Sequence, residues 1–478
     1  MINSPQTDFS TEQLQAINHF NGPALILAGP GSGKTTVIVN RILNLILNKH
    51  INPSNILVIT FSKAAALQMK ERFDKLSFDK SYPVNFGTFH SIFLHIIKDS
   101  GLYPELSVVN DKERKKFFSI IIKDIWNIDN PDISLINSLS NSVSLYKNSD
   151  YKRFEAGDIS ISFDEFLKIY NSYQKLMKIN NKIDFDDMMI FCYKLLTARS
   201  DIKKQCINKF KYILIDEFQD INDIQYEIIK LLAGESQNVF SVGDDDQSIY
   251  AFRGSRPELM QKFLNDFKKC KRINLLNNYR CGKNIIRHAD KLIKNNKDRL
   301  KRPRQISKSN NKGSVVCNIL DGEEKQALYI ISTLKELIQI KDYTYNDIAI
   351  LYRTEHCSEK LESLLKKENI PIHKIRENNH NNTNAIHLLT AHAAKGLEFR
   401  VVFVISLCEG IFPHIKAIND KNIEEERRLM YVAMTRAKEK LFLCSYITKR
   451  HKKISVFLFD SKVIDRIRIM LYSLMNRF

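Results

Sequence analysis

At 478 residues and 44% hydrophobic content the chain is too long for one hydrophobic core and has ample material for several, so two to four domains are expected. The 73 Lys and Arg against 54 Asp and Glu leave a formal charge of +19, which favours an anionic partner by long-range attraction; nucleic acid is the commonest such partner, and a genome biased towards Lys and Asn accounts for the excess equally well. The eight cysteines are scattered without a C-x-x-C pair or zinc-like spacing, and no apolar run approaches the roughly 18 residues that span a bilayer, which together predict a soluble, cytoplasmic protein without membrane association.

The first elements along the chain are short apolar runs that end in small or acidic residues: Ala24 to Ala28, Ile56 to Thr60, Tyr212 to Ile215 and Val239 to Val242. Such runs read as buried parallel strands. Each is followed by turn-forming or capping residues and then a helical pattern, the rhythm of a doubly wound α/β domain. Between Ser91 and Tyr212 the pattern changes to long amphipathic stretches, among them Lys112 to Trp126 and Phe163 to Met177, which predict a helical insertion into the first sheet. Ile348 to Leu351, Ala385 to Leu389, Val401 to Leu407 and Leu441 to Cys444 predict a second α/β sheet. Two Asn-rich polar stretches, Ser307 to Lys312 and Arg376 to Asn384, are short enough to be loops, and no internal repeat is present.

The run Ala24 to Ala28 leads into Gly29-Pro30-Gly31-Ser32-Gly33-Lys34-Thr35-Thr36 and then a helical pattern near Val37. This is the context of a phosphate-binding loop: glycines let backbone N–H groups turn inward around phosphate oxygens, Lys34 reaches the β and γ phosphates, and the Thr35 hydroxyl is placed to ligate Mg²⁺. Ala28 stands where the usual first glycine would be. The competing reading, a Gly-rich turn that happens to precede Lys, is weakened by the strand before it and the helix after it. Ile213-Leu214-Ile215-Asp216-Glu217 supplies the complement, because an apolar strand that ends in two acids puts carboxylates at the carboxyl edge of the sheet, beside the phosphates. Asp216 is the candidate metal ligand and Glu217 the candidate for polarising water. Taken alone, such a pair is commonly a solvated turn.

The remaining motifs carry an identification. They are Phe9-Ser10-Thr11-Glu12-Gln13, Thr60-Phe61-Ser62-Lys63-Ala64-Ala65, Gly87-Thr88-Phe89-His90-Ser91, Asp216-Glu217-Phe218-Gln219-Asp220 and Val242-Gly243-Asp244-Asp245-Asp246-Gln247-Ser248-Ile249-Tyr250. Later come Asn278-Tyr279-Arg280, Leu351-Tyr352-Arg353, the run from Thr390 through Lys395 to Phe399, and the run from Tyr431 through Arg436 to Lys438. In order and approximate spacing, the chain from Phe9 to about Leu458 resembles the superfamily 1 helicases of the UvrD, Rep and PcrA type. The resemblance implies two RecA-like α/β domains with flanking helices and a helical insertion. It divides the chain as a first domain in two parts, 1–92 and 186–271, a helical accessory domain at 93–185, and a second domain at 272–478.

The resemblance also implies roles. Gln13 would read the adenine edge, Tyr279 would stack on the base, and Glu398 would accept a hydrogen bond from the ribose. Gln247 would sense the γ phosphate. Arg280 and Arg436 would reach across from the second domain as fingers that stabilise charge on the transferring phosphoryl group, an effect worth about 10³ to 10⁵ in rate. Single-stranded DNA would lie on Phe61, Tyr250 and Phe252, with Lys63, His90, Arg253, Arg353 and His392 on phosphates or bases; packing in a core is the competing role for each aromatic. Phe252 replaces the family's usual Trp. The family's second accessory domain has only the 376–384 linker in its place, so a restraint on unwinding is expected to be absent. The residues after Arg436 carry none of the spaced acids and Lys of an attached nuclease, and the cysteines support no iron–sulfur cluster. The expected activity is an ATP- and Mg²⁺-dependent 3′-to-5′ helicase or translocase, a nucleoid-associated monomer acting on single strands and single/double-strand junctions.

Overall fold

The computed structural model describes residues 9–77, 80–148, 161–251, 254–300, 302–374, 384–420, 422–449 and 453–464. In its first part the strands are β1 (Ala24–Ala28), β2 (Ile56–Thr60), β3 (Asn85–Thr88), the short β4 (Ser107–Val108) and β5 (Lys182–Ile183), then β6 (Tyr212–Ile215), β7 (Val239–Gly243) and β8 (Lys271–Leu275). Six of them form a parallel sheet in the order β3-β2-β6-β7-β1-β8. Their apolar runs are continuous because both faces are covered: Leu25, Leu27, Ile213 and Ile215 enter one core, and Ala24, Ile26, Tyr212 and Leu214 the other. The strand order has a consequence for the site. With β7 between β6 and β1, the segment that begins at Asp244 lies between the loop after β1 and the acids after β6.

The second part contains β9 (Asn277–Asn278), β10 (Ile306–Ser307), β11 (Ser314–Asp321), β12 (Ile348–Tyr352), β13 (Ile372–Lys374), β14 (Ile386–Thr390), β15 (Phe399–Val404) and β16 (Ala437–Ile447). The last six form a second parallel sheet, β11-β16-β15-β12-β14-β13, again with two covered faces. The strands that composition did not reveal, β3, β8, β11 and β13, all lie at sheet edges, where fewer neighbours allow polar residues into the run. The expected linker at 376–384 lies, apart from Asn384, outside the described residues.

Two domain boundaries shift from the sequence expectation. The helix Phe89–Asp99 buries Phe89, Phe93, Ile96 and Ile97 in the core of the first sheet, so it belongs with that domain and the insertion starts after it, not at 93. The insertion has its own core, in which Phe118, Ile121, Leu139, Phe166, Ile169 and Tyr173 are buried, and its entry and exit are pinned by the β4–β5 pair. The boundary at 271/272 falls inside β8, which pairs with β1 along its length; the chain crosses to the second domain after Leu275.

The insertion is locked by one buried cation. Lys147, fully buried, donates to Asp184 at 2.7 Å and Asp187 at 2.6 Å, and the Tyr173 hydroxyl donates to Asp184 at 3.1 Å. Burial, followed by the Asp184 charge, pushes the Asp187 carboxyl up to about 6, so this pair depends on its lysine. Lys147→Met takes the shared ammonium countercharge from the two carboxylates and is expected to cost about 3–5 kcal/mol. The chain's single tryptophan, Trp126, packs against this core, so a urea titration read by its fluorescence checks the result directly.

Candidate nucleotide site and nucleic-acid interface

After Ala28 the chain turns through Gly29–Gly33 into the helix Lys34–Leu47. Gly31 and Gly33 have φ of +68° and +83°, where a side chain would be strained, and Gly33 caps the helix without a side chain to compete for its first N–H groups. Those N–H groups, with the positive end of the helix dipole behind them, are the anion-binding element. Ser32 closes the loop on itself, its N–H and Oγ both donating to the Gly29 carbonyl, at 3.3 and 2.8 Å. Lys34 Nζ donates to the Ala28 carbonyl at 3.4 Å and lies 3.6 Å from Glu217 Oε1. Thr35 and Thr36 follow in the same helical turn.

Asp216 and Glu217 follow β6 at the same sheet edge. Asp216 is buried, and burial together with the neighbouring Glu217 charge pushes its carboxyl up to about 7. A buried carboxylate short of countercharge is suited to a hard cation such as Mg²⁺, and Thr35, one residue after Lys34, could supply a second hard oxygen donor. Glu217 behaves oppositely: burial raises its pKa, but Lys34 and Lys395 outweigh that and hold it at about 2, ionised. Its backbone has φ of +52°, an uncommon conformation for a residue with a side chain, held here by the packed turn that follows.

Between these groups sits the segment after β7. Gln247 donates through Nε2 to Asp244 Oδ2 at 2.6 Å and accepts through Oε1 from Arg436 Nη2 at 3.3 Å. Arg436 is buried, and its other donors are satisfied by the Val432 and Leu397 carbonyls at 3.0 and 3.2 Å. Burial lowers its pKa, and the guanidinium stays protonated because its ordinary value is so high. Arg280 stands at the other side of the phosphate loop, where its Cβ leaves no room for a side chain at Gly31. Its Nε donates to Glu398 Oε2 at 2.6 Å, and Lys438 holds the other carboxylate oxygen at 2.8 Å. Gln13 donates to the Ser32 carbonyl at 3.0 Å and its Oε1 lies 3.4 Å from the half-exposed Tyr279 hydroxyl. Lys34, Glu217 and Gln247 thus lie at the carboxyl edge of the first sheet, where Arg280, with Glu398, and Arg436 approach from the second domain.

Several residues of this site carried no expectation. Asn278 donates to the Pro30 carbonyl and accepts from the Arg280 and Cys281 N–H groups at 3.0 and 2.8 Å, fixing the chain crossing against the loop. Lys395, from the second domain, donates to Asp220 and to the Gln247 carbonyl at 2.8 Å, with its ammonium 4.9 Å from the Tyr250 ring centre. Asp244, Asp245 and Asp246 form a buried acidic cluster, partly offset by Arg302 and, at Asp246, by Arg299 as well. A lysine inside a recognised motif was a readable signal; the two arginines stand outside every motif quoted above.

The expected nucleic-acid residues separate into two groups. Phe61, just after β2, stacks on Tyr250 with ring centres 5.0 Å apart and planes 5° from parallel. Lys63 is exposed at the start of the next helix, and His90, just after β3, packs edge-on to Phe185 at 5.1 Å. Burial lowers the His90 pKa, against the opposing pull of Asp186, so the imidazole is neutral at pH 7. Arg353 and His392 lie at the carboxyl edge of the second sheet and line a cleft of about 620 Å³ with Thr390, His414 and Glu426. Arg353 is held by Glu426 at 2.8 to 3.1 Å, so its charge is already offset. Phe252 and Arg253 lie outside the described residues.

Residues 9–268 match the UvrD/REP helicase N-terminal domain, and residues 273–380 and 372–448 match the UvrD-like helicase C-terminal domain. The protein YjcD of Bacillus subtilis is 35% identical over 374 residues, 77% of this chain and 49% of YjcD. The ATP-dependent DNA helicase PcrA of Staphylococcus aureus is 33% identical over 378 residues, 77% of this chain and 51% of PcrA. The chain thus spans about half the length of these two relatives. The ATP-dependent DNA helicase Rep of Buchnera aphidicola is 28% identical over 615 aligned positions that cover 92% of this chain and 94% of Rep.

Proposed function

The chain belongs to the UvrD/REP helicase family, and from that premise we propose that it is an ATP-driven motor that moves 3′-to-5′ on single-stranded DNA and unwinds duplex at single/double-strand junctions, in DNA repair, replication or recombination. The observation that carries the reading is the meeting of Arg280 and Arg436, from one domain, with the phosphate loop, Glu217 and Gln247 of the other. In this reading Gln13 and Tyr279 hold the adenine, Glu398 the ribose, and the loop N–H groups and Lys34 the phosphates. Mg²⁺, held by Thr35 and Asp216, would neutralise phosphate charge. Glu217 orients and polarises the attacking water, and the two arginines stabilise charge on the transferring phosphoryl group. Because both arginines belong to the second domain, hydrolysis requires the cleft to close. Closure acts on Lys395 and Tyr250, which join the nucleotide site to the aromatic face, so each cycle shifts the grip on the strand.

Polarity is tested by strand displacement on 3′-tailed and 5′-tailed duplexes. Unwinding of the 3′-tailed substrate alone is expected; unwinding of the 5′-tailed one alone refutes the direction. A second reading is a translocase that strips bound proteins without efficient strand separation. It is favoured by the alignment with Rep, which is longer than this entire chain and so runs over a stretch that Rep has and this chain lacks. The two C-terminal family matches meet at 372–380, which supports the absence of the second accessory domain at that point. Translocation by a monomer that fails to unwind would favour this reading.

A further inference from the structure

We propose that Gln219, fully buried beside Glu217, is the positioning residue that decides which carboxylate oxygen of Glu217 faces the attacking water, and that it ties this choice to the segment Asp244–Tyr250. The inference rests on the reading of Glu217 as the residue that polarises water.

The carboxamide has one admissible orientation. The Asp244 backbone N–H, a donor only, points at one end of it from 2.8 Å, so that end is the oxygen. The other end is then the NH₂ group, which donates to Glu217 Oε2 and, at 3.4 Å, to Asp220 Oδ2. Glu217 Oε2 is thereby occupied, while Oε1 is the oxygen that faces Lys34 at 3.6 Å. When Lys34 turns to phosphate, Oε1 is the one left to accept from water. The same residue is anchored at its backbone: the Gln219 carbonyl accepts from Ser248 Oγ at 3.2 Å. Gly243 is required by this arrangement, since a Cβ there would stand 2.6 Å from Gln219 Oε1. Glu217, in its strained backbone conformation, thus reports through one amide to the residues that carry Gln247 and Tyr250.

Three variants test this in the full chain. Gln219→Met keeps length and removes both polar ends; Gln219→Glu keeps the acceptor for Asp244 and reverses the donor towards Glu217. Gln219→Asn keeps the amide, occupies less space so that folding is spared, and is too short to span both partners. Steady-state ATP hydrolysis with saturating single-stranded DNA is measured beside binding of a fluorescent ATP analogue and of labelled oligonucleotide. The expected result is a fall in kcat of about 10²-fold, the scale of a misplaced reacting group, with KM for ATP and both binding constants within about twofold of the parent. A kcat within twofold of the parent in a variant that binds nucleotide overturns the inference, as does a KM that rises in step with the loss of kcat. Wild-type protein and Glu217→Gln accompany the series. If wild type does not hydrolyse ATP, or Glu217→Gln hydrolyses normally, the parent reading fails and the inference falls with it; normal controls with unaffected Gln219 variants refute the inference alone.

Discussion

Replacing Lys34 by Ala is expected to abolish DNA-stimulated ATP hydrolysis, with a loss of at least about 10²–10³-fold, while single-stranded DNA binding survives with its salt dependence intact. The two halves of this expectation come from separate parts of the molecule. Among the described residues, Lys34 lies against the Ala28 carbonyl and Glu217, at the phosphate loop. The aromatic face built on Phe61 and Tyr250 is joined to that site through Lys395 and Asp220, not through Lys34. Removal of the lysine also leaves Glu217 with less countercharge, so the carboxylate becomes a stronger proton acceptor; that gain does not replace the missing positive charge on the phosphates. ATPase assays and oligonucleotide titrations at several salt concentrations check both halves. Parallel loss of hydrolysis and DNA binding would contradict the separation.

Replacing Arg436 by Ala is expected to lower kcat by about 10³–10⁵-fold, the range for a finger that stabilises a transferring phosphoryl group. Arg436 is buried between the domains and donates to Gln247 Oε1, so its loss removes both the charge and the contact that holds the Gln247 amide. Arg436→Lys keeps the charge but not the planar fork that also satisfies the Val432 and Leu397 carbonyls, and is expected to recover only a small part of the rate. Arg280→Ala acts differently: it releases Glu398, which Lys438 still holds, so a change in nucleotide affinity accompanies the loss of rate. Single-turnover hydrolysis beside equilibrium ATP binding separates the two arginines. Full activity in Arg436→Ala would remove the second domain from the chemistry.

Much of this arrangement was readable in the sequence, for physical reasons. Strands buried on both faces announce themselves as unbroken apolar runs, and β1, β2 and β6 fall at the residues expected. The loop from Gly29 to Gly33 is legible because a phosphate cradle needs residues without side chains in consecutive positions. Edge strands are less legible: β8 reads Lys-Arg-Ile-Asn-Leu, too polar to stand out as a strand, and the boundary implied by the resemblance falls inside it. Likewise, the apolar face of Phe89–Asp99 says that the helix is buried but not against which core. Side-chain partnerships between distant segments carry no local signal. Arg353 has an offsetting partner in Glu426, and Asp244 has one in Arg302, only because the second domain folds back on the first sheet and on itself. Gln219 was visible as part of a motif, but its role depends on β7 lying between β6 and β1, which no local pattern reveals.

In the proposed function the two domains form one ATPase that single-stranded DNA switches on. Measuring steady-state ATP hydrolysis by the full chain with Mg²⁺, with and without a single-stranded oligonucleotide, tests it most directly. Slow hydrolysis by the protein alone is expected, with a marked, saturable stimulation by the oligonucleotide that disappears in Arg436→Ala. Hydrolysis that is absent under both conditions, or that is the same with and without DNA, would contradict the proposed function.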